Sequence, residues 1–202
     1  RISEPQESMK PAIEASSPPE KKPITVRPVE TAVPITTLQP IPSPSISASL
    51  KVVYSSENNI HLWTEGEVSQ LTTSGDAHNP LISPDGEKVA FLRTADEYHL
   101  ELWVVNADKT NERRLVSIGD LDKIGGGVRD PAAVAINPYR FQWLPGSHIL
   151  AFNSHQIFLG PGLSLLNDLN LVNTDTNEIQ NLFLSGWGGE FAFSPDGSQI
   201  AI

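Results

Sequence analysis

Beyond residue 49 the chain alternates short apolar runs with polar punctuation. Lys51-Val52-Val53-Tyr54 and Ile60-His61-Leu62-Trp63 are separated by the polar residues 55–59, and residues 68–72 follow a second turn at 64–67. The next stretch keeps the rhythm, with Leu81-Ile82, residues 89–93, residues 100–106 and Arg113-Arg114-Leu115-Val116. Runs of about four to seven residues, apolar and partly β-branched or aromatic, bounded by Asn, Asp, Gly, Ser and Pro, predict short strands in an antiparallel meander. Further strands are expected at 141–143, 149–153, 169–173 and 191–193, and the final Ile200-Ala201-Ile202 reads as the start of another. Two interruptions read as loops. One is residues 119–131, an insertion with Gly125-Gly126-Gly127 as a mobile centre; the other surrounds Gly160-Pro161-Gly162.

The meander repeats itself. Ser83-Pro84-Asp85-Gly86 returns unchanged as Ser194-Pro195-Asp196-Gly197, with Leu144-Pro145-Gly146-Ser147 as a degraded copy between them. Each is followed by an apolar strand: Val89-Ala90-Phe91, Leu150-Ala151-Phe152 and Ile200-Ala201-Ile202. Pro84 suits the first central position of a type I turn, Asp85 can accept from the backbone just downstream, and Gly86 tolerates φ > 0. Asp85 and Asp196 are therefore read as turn formers and not as catalytic acids, and the degraded copy is expected to be looser. A second match is independent of the first: residues 169–175 align without gaps on residues 102–108. The prolines lie 61 and then 50 residues apart, close to the length of a propeller blade.

Composition divides the chain. Residues 1–48 hold ten of the seventeen prolines, five basic and five acidic residues, and neither glycine nor aromatic residues. Such a segment cannot bury enough apolar surface to offset its ordering entropy, so a disordered Pro-rich linker is expected there. The net charge of −10 falls wholly on the remainder, which argues against nucleic acid and anionic membrane surfaces as partners. No run reaches the roughly 18 apolar residues of a membrane-spanning helix. The chain has no cysteine, hence neither disulfides nor thiolate metal sites. It begins at Arg1 and ends inside an apolar run, so a lost N-terminal anchor or signal, or a longer parent chain, is expected. A chain ending inside a blade is also expected to have poor stability on its own.

The turn motif with its following strand, Leu102-Trp103-Val104-Val105 leading into Asn106-Ala107-Asp108, and Gln70-Leu71-Thr72 together resemble TolB-type (WD40-like) β-propeller repeats. Similar blades occur in the propellers of prolyl oligopeptidase and dipeptidyl peptidase relatives. The resemblance runs from about residue 50 to 202 and implies an all-β fold, a partial β-propeller of four-stranded antiparallel blades. The expected divisions are an incomplete blade at 49–75, blades at 76–118 and 119–185, and the start of another at 186–202. Entry at a second strand implies that a strand from elsewhere completes the first blade.

Chemical motifs are few. No Gly-x-Ser-x-Gly elbow, P-loop or Gly-x-Gly-x-x-Gly follows a strand, and the five histidines show no ligand spacing, so no catalytic, metal or cofactor residues are assigned. Asp120 and Asp122 are read as part of a solvated loop. Trp63, Trp103 and Trp143 are read as packing between blades, whereas Trp187, within Gly186-Trp187-Gly188-Gly189, is the candidate exposed contact. Residues 118–130 are the second candidate surface, with Arg129 and Asp130 as binding residues. The expected function is a non-enzymatic binding or scaffold module outside the cytoplasm. Its partner would be a protein, peptide or glycan held by the blade-connecting loops. The alternative is the gating propeller of a prolyl oligopeptidase- or dipeptidyl peptidase-like serine peptidase whose catalytic domain lies outside this chain.

Overall fold

The computed structural model describes residues 50–125, 129–160 and 162–202. Residues 1–49, with the Pro-rich segment 1–48, and Gly126, Gly127, Val128 and Pro161 lie outside the described residues. The folded part is a succession of antiparallel sheets. The first holds three strands, β1 (Lys51–Ser56), β2 (Asn59–Thr64) and β3 (Glu67–Gln70). The second is a four-stranded meander of β4 (Ala77–Ile82), β5 (Lys88–Thr94), β6 (Leu100–Asn106) and β7 (Arg113–Val116). A short helix α1 (Ile118–Ile124) leads to the third sheet, built from β8 (Ala133–Trp143), β9 (Ile149–Phe158), β11 (Leu169–Asn173) and β12 (Ile179–Phe183). β10 (Leu163–Leu165) pairs with the far half of β9, beyond the part that β11 occupies. β13 (Ala192–Phe193) and β14 (Ile200–Ala201) form a two-stranded fourth sheet.

Alternation along each strand shows how the sheets stack. In β5, Val89 and Phe91 join Ile60, Leu62 and Leu71 of the first sheet in one core, while Ala90 and Leu92 face the other way. That second core adds Leu102 and Val104 of β6, Trp143, Leu150 and Phe152 of the third sheet, and Leu121 of α1. In β9, Ala151 points away from its neighbours and meets Leu169 and Phe191 in a third core. Successive side chains on a strand face opposite sides, so a sheet buried on both faces must lie between two others. The sheets therefore stack face to face as blades of a β-propeller.

The repeated hairpin explains the rhythm. Ser83 N donates to Lys88 O, Gly86 N donates to Ser83 O, and Gly86 takes φ 75°. Residues 194–199 make the same bonds, with Gly197 at φ 70°. The middle copy closes the same way, from Leu144 N to Ile149 O at 2.9 Å, but its positive φ of 68° falls one residue earlier, at Gly146. Proline followed by a left-handed glycine is the type II arrangement, so the hairpin is kept by a different turn rather than loosened.

Three expectations need correction. The inserted residues are not all loop: Ser117 and Asp120 form a reciprocal capping box that starts α1. β8 and β9 run well beyond the expected 141–143 and 149–153. Trp63 does not pack between described blades; it sits between Val52 and Val68 on the face of the first sheet turned away from the second.

Candidate functional site at the two ends of the blades

In a meander the first-to-second and third-to-fourth connections lie at one end of each sheet. The second-to-third connections and the links to the next blade lie at the other. The chain therefore has a hairpin end, carrying the proline turns, and a linker end, carrying α1 and residues 184–191.

At the hairpin end, His148 bridges two blades. Its Nε2 lies 2.6 Å from Asp85 Oδ2 in the turn of the second blade, and its Nδ1 lies 3.0 Å from Asp175 Oδ2 in the β11–β12 turn. Lys88 pairs with the other Asp175 oxygen at 3.2 Å. Asp85, His148 and Asp175 line a shallow hollow of about 290 Å³, together with Pro84, Gly146 and Ser147. An imidazole flanked by carboxylates on both nitrogens donates from both, which is the imidazolium form. The hydrogen bond to Asp85 raises the His148 pKa above its ordinary value, with Asp175 adding to it against the effect of burial. Burial acts to raise Asp85, but bonds from Ser83 Oγ, Glu87 N and His148 outweigh it and hold the carboxyl at about 2. Asp175 is likewise lowered by His148 and Lys88, despite burial.

Carboxylate oxygens of Asp85 and Glu87 and a ring nitrogen of His148 lie within 4.8 Å of one another. With both ring nitrogens donating to carboxylates, the imidazolium has no lone pair to offer an ion, and the trio is a hydrogen-bonded ion-pair cluster. Spacing in the sequence did not reveal this trio, because Asp85 and His148 are 63 residues apart and meet only when the blades stack.

At the linker end the structure places the three residues singled out from sequence. Trp187 is 78% exposed. Its backbone is nevertheless fixed: Trp187 N donates to Leu184 O, Gly186 N to Leu166 O, and Gly188 N to Asn167 O at 2.6 Å. A Cβ on Gly188 would lie 2.5 Å from the Asp168 carbonyl carbon, so only glycine permits this docking. Asp168 itself is fully buried and accepts from Ser154 N, Ser154 Oγ and Asn170 Nδ2. Arg129 and Asp130 follow α1. Arg129 pairs with Asp122 at 2.8 Å and donates to Ala133 O, while the Asp130 backbone accepts from Ala133 N and donates to Gln156 Oε1. Both are exposed but engaged with their own segment, and no hydrogen bond or ion pair among the described residues joins them to Trp187. Asp120 and Asp122 are likewise committed, one to the helix cap and the other to Arg129.

Stacked antiparallel meanders of this kind define a β-propeller segment, with both candidate clusters at the ends of its blades. Solved structures similar to this chain include two TolB proteins. The putative TolB from Agrobacterium tumefaciens is 19% identical, over 64% of this chain and 43% of that one, with a TM-score of 0.41. TolB from Acinetobacter baumannii is 13% identical, over 74% and 45%, with a TM-score of 0.37. The acylaminoacyl peptidase of Pyrococcus horikoshii is 16% identical, over 66% and 22%, with a TM-score of 0.41. This chain thus spans less than half the length of each. No protein-family profile and no curated protein matches the sequence.

Proposed function

We propose that this chain is a non-enzymatic binding module that takes a protein, peptide or glycan through the linker end of its blades, outside the cytoplasm. One observation carries the reading: Trp187 is held out in solvent by a backbone fixed through the amides of Gly186, Trp187 and Gly188. A rigid aromatic loses little conformational freedom on contact, and such side chains dominate binding energy at interfaces. Leu184, 67% exposed, extends the apolar surface beside it. The extracytoplasmic placement rests on the resemblance to TolB-type propellers and on the Pro-rich segment 1–48.

A photo-reactive phenylalanine at position 187 of the natural protein should capture a defined partner that the same probe at Glu65, on the hairpin end, does not. Trp187→Ala should weaken that complex at least about tenfold. Absence of any crosslink specific to position 187, with negative peptide and glycan arrays, would reject the reading. Labelling of the natural protein by a fluorophosphonate would instead favour the gating propeller of a serine peptidase.

A further inference from the structure

We infer that His148 is a pH-sensitive latch between the second and third blades, clamping together the turns that line the hollow at the hairpin end when protonated and releasing them when neutral. The inference is independent of the partner proposed for the opposite end. His148 belongs to the β8–β9 turn of the third blade, and its bond to Asp85 reaches the β4–β5 turn of the second. Its bond to Asp175 stays within the third blade, and Asp175 in turn reaches Lys88 at the start of β5. A neutral imidazole has one N–H. On deprotonation one of the two carboxylates must face a bare ring nitrogen, lone pair against lone pair, at the present 2.6 or 3.0 Å.

The charged groups around the ring favour the protonated state. Asp85 and Glu87 face it from the β4–β5 turn and Asp175 from the β11–β12 turn. Among the described residues Lys88 is the one cation paired with this cluster, and it divides its ammonium between Asp175 and Asn106 Oδ1. Asp108 and Lys51 line the adjoining hollow beyond Lys88. The sign follows: the latch is fully present below the ordinary histidine pKa and is lost as pH rises through the raised value in the folded chain. Other links across this junction do not titrate near neutrality. Arg113 donates to Thr174 O, Asn177 Nδ2 to Arg114 O at 3.1 Å, and Trp143 Nε1 to Leu81 O at 3.0 Å. Release is therefore local to the hollow, and the blades stay stacked.

Amide exchange of the whole chain, corrected for intrinsic rate, tests this at about pH 5.5 and pH 8.5, on either side of histidine's range. Glu87, Ile149 and Thr174, whose amides bond within the latch turns, should lose about two- to fivefold protection at the higher pH. His148→Gln should abolish that step, while His99→Gln, whose ring pairs only within its own loop, should leave it intact. Direct titration should place His148 above an ordinary histidine, and Asp175→Asn should lower its midpoint. A purely structural side chain would instead change protection equally at both pH values. The same pH step in wild type and His148→Gln, or a His148 midpoint at or below the ordinary value, overturns the inference. Should His148→Gln fail to fold, the midpoint shift in Asp175→Asn decides.

Discussion

At the scale of single residues, identity matters most where backbones meet. Gly188 lies against the Asp168 carbonyl, where a Cβ would be 2.6 Å from the oxygen. Gly188→Ala should therefore displace the Trp187 segment and cost about 2 kcal/mol or more, read as a fall in thermal midpoint. Trp143 joins two blades through its Nε1 bond to Leu81 O, so Trp143→Phe should cost about 1–2 kcal/mol in denaturant unfolding, chiefly by stranding that carbonyl. Acid should also probe the turns. Asp85 and Asp196 are both held at about 2, the latter by Ser194 and Ser198. A depressed carboxylate stabilises the fold above its unfolded pKa, and this is lost as pH falls through the folded value. Asp85→Asn should accordingly flatten the loss of structure between about pH 4 and pH 2, followed by circular dichroism. The turn role of both aspartates was legible because the motif is local. The second role of Asp85, as partner of His148, was not, since nothing at position 85 refers to position 148.

At the scale of elements, the misread stretches share a cause: their polar residues are used internally. Residues 154–156, Ser-His-Gln, lie beyond the strand end expected at Asn153, yet they, like Asn153, are buried inside β9. Asn153 accepts from Arg140 N, Ser154 is bound to Asp168, and Gln156 accepts from Asp130 N. His155 packs edge-on against Tyr139, and burial lowers its pKa. Pro138 sits at a register shift of β8, where a missing donor is tolerated. α1 did carry a local signal, Ser117-x-x-Asp120, whose hydroxyl accepts from Asp120 N at 3.2 Å. Ser117→Ala should cost about 1 kcal/mol and show first as faster exchange in α1. Gly119→Ala should be neutral or stabilising by up to about 1 kcal/mol, since its Cβ would find nothing nearer than Ser117 Oγ at 3.8 Å.

At the scale of the whole molecule, stability is a chain of blade junctions, each with its own core. Phe91 and Phe152 are both fully buried but belong to different junctions. Each change to alanine should cost about 3–5 kcal/mol. Hydrogen exchange should separate them, with Phe91→Ala loosening the first and second blades and Phe152→Ala the second and third. The outer face of the first blade, with Val52, Tyr54 and Val68 exposed, has no covering sheet among the described residues. Its counterpart on the second blade, Val89 and Phe91, is covered by the first.

The sequence by itself determined the hairpins, the strand alternation, the repeat and the exposed Trp187 segment, because each is encoded within a few consecutive residues. Turn chemistry and period-two alternation are short-range properties of the chain. Tertiary structure alone decided which residues meet across a junction: His148 with Asp85, and Trp143 with the Leu81 carbonyl. Those pairings follow from how far one twisted sheet is offset from the next, which no local pattern of residues carries.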